Sequence, residues 1–232
     1  MGIEEQILYE DNHLIAINKR CGQIVQGDKT GDTTLPDEIK AYLKEKYNKP
    51  GNVFCGVIHR LDRPVSGVVI FAKTSKALSR MNQSVKEHQL KKTYWALTKN
   101  KPPKDQDSLE DWLIRNEKNN KTYVVKTDTK DAKRAHLNYT LKGRSSGGYY
   151  LLEIDLHTGR HHQIRAQLAN IGCVIKGDLK YGAERSNSDG GIALHARKVT
   201  FIHPVSKAEI TIVAPTPRQP IWSEFENKSE LQ

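Results

Sequence analysis

The first apolar positions of the chain come in two short runs that predict a β-hairpin. The runs Ile7–Tyr9 and Leu14–Ile17 are separated by Glu10-Asp11-Asn12-His13, which has the composition of a turn. Apolar residues then recur at helical spacing from Leu35 to Tyr47, and Pro50-Gly51 would stop a helix that continued. This pattern predicts an amphipathic helix after the hairpin.

Strand-like segments dominate the rest of the chain. The apolar run Val68–Phe71 is followed by a helix that Thr74 or Ser75 can cap, and Tyr94–Leu97 returns to strand character. Further β-like runs cover residues 109–114, 121–125, 135–141 and 149–156. Strands grouped together with a few helices favour the α+β class, with a mixed, largely antiparallel sheet flanked by helices.

The length of the chain and one polar segment suggest how these elements are organised. A chain of 232 residues can bury a core without disulfides or a structural metal. The polar stretch from Lys99 to Asp105 is the best candidate for a connection between two parts of the fold. We therefore predict one catalytic domain over residues 1–232, built of two closely packed halves with a crossing near residues 99–108.

The charge balance favours a polyanionic partner. Lys and Arg outnumber Asp and Glu by 37 to 27, and the excess is spread along the chain. The alternative is a basic surface that only keeps the protein in solution. No apolar run approaches the roughly 20 residues needed to cross a bilayer, and Cys21, Cys55 and Cys173 form neither a disulfide pattern nor a zinc pattern. We expect a cytoplasmic protein that makes no membrane contact.

The most informative stretch runs from Gly56 to Gly67 and contains His59-Arg60-Leu61-Asp62-Arg63-Pro64. It places a carboxylate between two guanidinium groups on a loop that leads into a buried strand. Nearby cations favour the ionised form of a carboxylate, so Asp62 would be available for nucleophilic attack at neutral pH. Taken alone, such a pattern is more often an ordinary surface salt bridge.

Two further segments favour a catalytic role for Asp62 over a surface salt bridge. Lys92-Thr93-Tyr94 places an aromatic ring on a strand, and Gly159-Arg160-His161-His162-Gln163-Ile164-Arg165 joins a strand to a helix. With the Asp62 loop, and in this order, they resemble the RluA family of pseudouridine synthases, which has His-Arg-Leu-Asp, Lys-x-Tyr and Gly-Arg-x-His-Gln-Ile-Arg segments. The resemblance spans Ile7 to Pro215 and includes Gly177–Gly182, Leu194–Ala196 and Phe201–Pro204.

The resemblance implies a pseudouridine synthase fold with a central RNA-binding cleft. It also implies an isomerase that converts specific uridines of ribosomal RNA or tRNA to pseudouridine, without a cofactor or a metal. Asp62 would be the nucleophile, Tyr94 the active-site aromatic, and Arg165 the cation that keeps Asp62 ionised and oriented. Arg60 would fill the gap left by a flipped nucleotide. The residues implied to bind the substrate are Arg60, Arg160 and His59.

Several lysines and one arginine are candidates for contacts with RNA phosphates, which would weaken as the salt concentration rises. They are Lys91, Lys92, Arg160, Lys176 and Lys180. Each of them can equally be a solvated surface charge. The motifs leave the choice between ribosomal RNA and tRNA open, because RNA target choice depends on surface shape and loops.

The chain also departs from the usual family pattern. Val65 stands where a Thr commonly precedes Ser-Gly, and Lys19-Arg20 replaces a frequent Lys-Pro. Many relatives carry a small S4-type RNA-binding domain ahead of the hairpin, whereas only a few residues precede Ile7 here. We therefore expect substrate choice to depend on the catalytic domain.

Two other function classes compete with the synthase. A catalytically silent RNA-binding or ribosome-assembly protein could keep the fold without the chemistry, although Asp62, Tyr94 and Arg165 together argue against it. A metal-dependent nuclease would need clustered acidic ligands, and the sequence shows none. His157 and His161 are four residues apart, but Gly159 interrupts any helix between them. Without a heptad run, we expect a monomer with no obligatory protein partner.

Overall fold

The computed structural model describes residues 2–27, 31–126 and 129–229. In chain order, its strands are β1 (Ile7–Glu10), β2 (Leu14–Lys19), β3 (Gly56–Val57), β4 (Ser66–Ala72), β5 (Lys91–Thr98), β6 (Gln106–Asn116), β7 (Lys121–Val125), β8 (Lys133–Arg144), β9 (Tyr150–Leu156), β10 (Leu194–Ile202) and β11 (Glu209–Val213). Its α-helices are α1 (Leu35–Lys46), α2 (Ser75–Lys86), α3 (Gln163–Asn170) and α4 (Pro220–Ser229). Short 3-10 helices cover Ile3–Gln6 and Leu179–Tyr181.

The chain divides into two compact units. The first unit contains Met1–Lys91 and Ala196–Pro215, and the second contains Lys92–His195 and Thr216–Gln232. The chain passes between the units after Lys91, after His195 and after Pro215. Residues 99–108, where the crossing was expected, lie inside the second unit, where β6 begins. The arrangement of both units as one closely packed catalytic domain stays a prediction.

The first unit is built on a sheet with the strand order β1-β2-β4-β10, with β11 against β10 and β3 against β4. The β1–β2 pair is the predicted hairpin, with Tyr9 opposite Ala16 in antiparallel register. Strand β4 is buried along its whole length and runs antiparallel to β2. Its seven buried residues include the predicted run Val68–Phe71, so this prediction is confirmed, with one or two more residues at either end.

Two helices of the first unit follow the predicted patterns. Helix α1 begins with a capping box, in which the Thr34 side chain accepts from the Asp37 N–H and the Asp37 carboxylate accepts from the Thr34 N–H. Its apolar stripe is fully buried at Leu35, Ile39 and Leu43. Thr74, rather than Ser75, caps α2 by accepting from the Ala77 N–H at 3.1 Å. Both helices are therefore confirmed, and α1 ends one residue before Tyr47.

The second unit is an antiparallel sheet with the strand order β5-β9-β8-β6-β7. One face is apolar where Tyr139 of β8 lies opposite Ile154 of β9, both nearly inaccessible to solvent. Every predicted strand of this unit is present, and β6 and β8 extend beyond the predicted runs because ladder hydrogen bonds continue into their polar ends. The α+β class with a largely antiparallel sheet is confirmed.

Helices α3 and α4 complete the second unit. Helix α3 contacts β6 and β7. Helix α4 lies beyond Pro215, where the family resemblance ends, and it buries Trp222 and Phe225 almost completely. Within the described ranges, no helix has both the length and the apolar character that a membrane crossing requires.

Candidate active site

The loop that carries Asp62 connects β3 to β4 in the first unit. The Val65 N–H donates to the Asp62 carbonyl at 3.0 Å, which closes a tight turn around Arg63 and Pro64. The Asp62 side chain is half-buried. The two guanidinium groups beside it contact other side chains: Arg63 pairs with Asp32 at 2.8 Å, and Arg60 donates to Gln26 Oε1 at 3.1 Å.

Lys19 at the end of β2 anchors this loop from the interior of the first unit. Its side chain is 1% exposed, and its Nζ donates to the carbonyls of Val65 at 2.7 Å, Arg63 at 3.0 Å and Arg20 at 3.2 Å. Burial lowers the pKa of Lys19 to about 8, and the nearby Cys21 and Asp62 act in the opposite direction. Lys19 therefore fixes the backbone on the C-terminal side of Asp62.

The glycine that ends the Asp62 motif is required by a close approach of two backbones. Gly67 has φ +114°, and a Cβ atom there would lie 2.3 Å from the Ala196 carbonyl oxygen and 2.5 Å from the Ala196 nitrogen. Neither distance is possible, so only glycine fits. The backbone at Ala196 therefore packs directly against the glycine at the start of β4.

His59 also takes part in holding the loop. Its Nε2 accepts a hydrogen bond from the Ile70 N–H at 3.1 Å, which requires that this nitrogen carries no proton. His59 is partly exposed and Arg60 is exposed. The first unit thus brings His59, Arg60 and Asp62 together on one loop anchored to β2 and β4.

Tyr94, Arg160 and Arg165 all lie in the second unit. Tyr94 is in the middle of β5, opposite Ile154 of β9, and is 6% exposed. Arg165 is 5% exposed in the first turns of α3. Arg160 is exposed in the segment before α3, and its Nε donates to the Arg134 carbonyl at 3.0 Å.

Arg165 forms a buried, bidentate ion pair with Asp178. Its Nε lies 2.7 Å from Oδ2 and its Nη2 lies 2.7 Å from Oδ1 of a carboxylate that is 1% exposed. The guanidinium also lies over the Tyr181 ring, 5.1 Å from its centroid. Asp178 lies in the Gly177–Gly182 motif and was not predicted to have a role, although a lone carboxylate within a glycine-rich turn is a usable signal.

Gln163 fixes the segment that precedes α3. Its Oε1 accepts from the Arg160 N–H at 3.0 Å and from Thr158 Oγ1 at 2.8 Å, and its Nε2 donates to the His136 carbonyl at 3.1 Å. The side chain is 3% exposed. The amide oxygen of Gln163 thus binds the segment before α3, and the amide nitrogen binds β8. These hydrogen bonds hold Gly159 and Arg160 in one conformation.

His162 has a structural role at the start of α3. It adopts a left-handed conformation with φ 50°, and its Nδ1 is 3.1 Å from the Tyr181 hydroxyl. Burial, with Arg165 close by, lowers the pKa of His162 to about 2, so the ring is neutral at physiological pH. The Tyr181 hydroxyl in turn donates to the Thr122 carbonyl at 3.0 Å. These uncharged hydrogen-bonded groups hold the Tyr181 ring in position against the Arg165 guanidinium.

The histidines considered as metal ligands have other contacts. His157 stacks on His136 with 4.2 Å between ring centroids, and His161 Nδ1 is 2.8 Å from Thr122 Oγ1. Among the residues that the structure describes, no group of three or more His, Cys, Asp or Glu side chains is arranged to hold a metal ion.

The proposed phosphate contacts fall into different environments. Lys91 and Lys180 are exposed, and Lys180 donates to the Asn120 carbonyl at 3.1 Å. Lys176 is partly exposed and donates to Asn187 Oδ1. Lys92 is partly exposed, and burial lowers the pKa of its ammonium group.

Comparisons with known proteins agree with these motifs. A family model described as RNA pseudouridylate synthase matches residues 13–170. A Synechocystis protein described as an uncharacterized RNA pseudouridine synthase is 33% identical over 91% of this chain and 65% of its own length. A ribosomal large subunit pseudouridine synthase C from Buchnera aphidicola is 33% identical over 90% of this chain and 67% of its own length. The chain thus spans about two thirds of these two relatives.

Other relatives match over almost their whole length. A tRNA pseudouridine synthase C from Haemophilus influenzae is 29% identical over 96% of this chain and 97% of its own length. The solved structure of human RNA pseudouridylate synthase domain containing 4 superimposes with a TM-score of 0.77 at 24% identity, over 93% of this chain and 90% of that one. This second likeness shows a shared fold. Because the family model covers well over half of the chain, the protein belongs to the RNA pseudouridylate synthase family, as its motifs predicted.

Proposed function

We propose that this protein is an RNA pseudouridine synthase that isomerises specific uridines of ribosomal RNA or tRNA, with the carboxylate of Asp62 as its nucleophile. The observation that carries the proposal is the presence of Asp62 on a rigidly anchored loop in a chain of this family. A catalytic group must be held in one geometry to act, and Lys19, His59 and Gly67 supply that rigidity.

The reaction breaks the bond between uracil N1 and ribose C1′ and forms a bond between C5 and C1′. N1 gains a proton and C5 loses one, so the product is an isomer of the substrate and no redox partner is needed. Asp62 would act by attack on the ribose or the base, or by removing a ribose proton. Each of these roles requires its ionised form at neutral pH.

Tyr94 and Arg165 have distinct proposed roles in the second unit. The Tyr94 ring would stack on the uracil and assist proton removal at C5. Arg165 would keep the Asp62 carboxylate ionised and oriented, as the family resemblance implies. Its bidentate pair with the buried Asp178 carboxylate fixes the plane of the guanidinium, which supports a role that depends on orientation.

The substrate nucleotide would have to leave its stack before C1′ can be reached, at a cost of a few kcal/mol. Arg60 is exposed and contacts only a neutral amide, Gln26, among the described side chains, so it can move into the vacated position. A planar guanidinium can stack on bases and donate to their edges at once. Arg160 and His59 would add contacts to the RNA.

Two of the relatives support the proposed substrate class. One is named for the ribosomal large subunit and one for tRNA, so both kinds of RNA are proposed substrates. The direct test incubates the protein, Asp62→Asn and Asp105→Asn with unmodified tRNA and ribosomal RNA transcripts. Asp105 is a matched control, because it is an exposed carboxylate whose only described ion pair is with Lys101. Pseudouridine is mapped by chemical labelling and reverse-transcription stops.

We expect new stops with the unsubstituted protein and with Asp105→Asn, and none with Asp62→Asn. Equal activity of Asp62→Asn would refute the assignment of the nucleophile. Binding of RNA by all three proteins without product on any transcript would instead favour the catalytically silent RNA-binding protein.

A further inference from the structure

The ammonium group of Lys92 is partly shielded from water, and no anionic side chain among the described residues pairs with it. Lys92 is partly exposed at the start of β5, and burial lowers its pKa. Within the described parts of the chain, its Nζ has neither a hydrogen-bond partner nor an ion-pair partner. A desolvated cation without a partner costs free energy, so such a group is typical of a site that receives its counter-ion from a ligand.

The position of Lys92 points to the ligand. Side chains alternate along a strand, so Lys92 and Tyr94 project from the same face of β5, about 6.6 Å apart along the strand. Lys92 is opposite Leu156, the last residue of β9, where the Gln163-anchored segment begins. The Lys92 side chain therefore leaves the strand one two-residue repeat away from Tyr94, whose ring is proposed to stack on the target uracil.

Gly159 makes this position accessible. A Cβ atom built on Gly159 would lie 3.4 Å from Lys92 Nζ, so the backbone of the segment passes directly against the ammonium group. Gln163 holds the neighbouring residues Thr158 and Arg160 by hydrogen bonds, which prevents this backbone from moving aside. The absence of a side chain at Gly159 therefore leaves space beside the cation.

We propose that Lys92 and the backbone at Gly159 form a binding site for the phosphate of the nucleotide that stacks on Tyr94, a contact that rests on the proposed function. A phosphate diester supplies the negative charge that is missing beside the Lys92 ammonium group. The distance between a base and its own phosphate is also comparable to the spacing between alternate residues of a strand. The contact fixes the register of the RNA without reading its sequence. Lys92 is thus a positioning residue.

The test compares Lys92→Gln, Lys92→Arg and Gly159→Ala with the unsubstituted protein. Lys44→Gln is the matched control, because it removes the same charge from an exposed position on α1. RNA dissociation constants are measured by filter binding over a series of potassium chloride concentrations, with tRNA and ribosomal RNA transcripts as probes. Loss of one phosphate contact should reduce the slope of log affinity against log salt by about 0.7 to 0.9.

We expect Lys92→Gln to show that reduced slope and an affinity lowered by roughly three- to tenfold at low salt. Lys92→Arg should restore the slope, Gly159→Ala should weaken binding, and Lys44→Gln should leave the slope unchanged. Urea unfolding adds a readout that separates binding from a structural role. Because Lys92 has no described partner to lose, Lys92→Gln should keep or raise the unfolding midpoint.

An unchanged slope in Lys92→Gln overturns the inference, and so does a lowered unfolding midpoint together with weakened binding. Pseudouridine formation by the unsubstituted protein in the same samples shows separately whether the proposed function holds. If pseudouridine forms but Lys92→Gln shows no change in the salt slope, only the Lys92 site is contradicted. RNA binding with the expected slope change but without product contradicts only the proposed activity, and a protein that binds no RNA contradicts both.

Discussion

The two units hold their functional loops with side chains of different character. In the first unit, the charged Lys19 donates to three carbonyl groups around the Asp62 loop. In the second unit, the neutral Gln163 accepts two hydrogen bonds from the segment before α3 and donates one to β8. Both side chains are almost inaccessible to solvent. A single buried polar side chain that hydrogen-bonds to the backbone can therefore hold a loop in place, whether that side chain is charged or neutral.

A similar contrast is present elsewhere in the two units. In the first unit, the Glu10 carboxylate joins the hairpin to α1 through hydrogen bonds from Tyr42 and Lys46. In the second unit, His162 and the Tyr181 hydroxyl form a neutral network beside the buried Arg165–Asp178 ion pair. Acid should therefore weaken the first unit by protonating Glu10, and it should weaken the second unit because His162 can take up a proton below its ordinary pKa only when the chain unfolds. Substitutions in the second unit should act mainly through the Arg165–Asp178 pair.

The largest effect should come from breaking the ion pair of the second unit. Asp178→Asn leaves the buried Arg165 guanidinium without its counter-ion and should lower the free energy of unfolding by about 3–5 kcal/mol. The measurement is urea unfolding followed by circular dichroism. Glu184→Gln is the control, because it breaks an ion pair with Lys99 that is mostly exposed, and it should cost less than about 1 kcal/mol. Similar effects of both substitutions would contradict a structural role for the buried pair.

The second-largest loss of stability should come from removing Lys19, which anchors the Asp62 loop in the first unit. Lys19→Met removes the donor to three carbonyl groups and should lower the free energy of unfolding by about 2–3 kcal/mol. It should also reduce pseudouridine formation in protein that is still folded, because the Asp62 loop loses its support. Lys40→Met is the control, since Lys40 is partly exposed and its only ion pair among the described residues is with Asp37. A stable but fully active Lys19→Met protein would show that the loop needs no such anchor.

The sequence predicted most elements of both units, because apolar periodicity reports directly which face of a strand or helix is buried. Leu35, Ile39 and Leu43 predicted α1, and the motifs pointed to Asp62, Tyr94 and Arg165 before any contact was visible. The roles of those three residues stay predictions. Strand ends were less well predicted, because the ladder of β6 with β8 continues through polar residues that carry no apolar signal.

The anchors themselves could not be predicted, because their partners are far apart in the sequence. Lys19 binds the carbonyl of Val65, 46 residues later, and Asp178 follows its partner Arg165 by 13 residues across an intervening turn. Only the folded chain brings such groups together. Lys19 left one weak signal, a lysine at the end of an apolar run, but its position in the sequence does not indicate which carbonyl groups it binds.

Removing the neutral anchor of the second unit should have a smaller effect than removing Lys19. Gln163→Leu keeps a similar volume but leaves the Arg160 N–H and the His136 carbonyl without their partner, which should cost about 1–2 kcal/mol. The loss should be the same at pH 5 and pH 8, because Gln163 does not titrate. Urea unfolding at both pH values checks this, with Gln83→Leu on the exposed face of α2 as the control. A strongly pH-dependent loss would contradict the contrast between the units.

The smallest effect should be the acid response of the first unit. Burial would raise the pKa of Glu10, but hydrogen bonds from Lys46, Lys73, Tyr47 and Tyr42 lower it to about 2. Its folded pKa is thus below its unfolded value, so its contribution is present above pH 4.5 and is lost as the pH falls towards 2. Between pH 6 and pH 3 this loss should be about 1 kcal/mol, since Lys46 is partly in contact with solvent. Glu10→Gln should remove that part of the acid response in urea unfolding. Glu45→Gln, a change at an exposed position on α1, should keep it. If Glu10→Gln and the unsubstituted protein lose equal stability over this range, charged anchoring does not distinguish the first unit from the second.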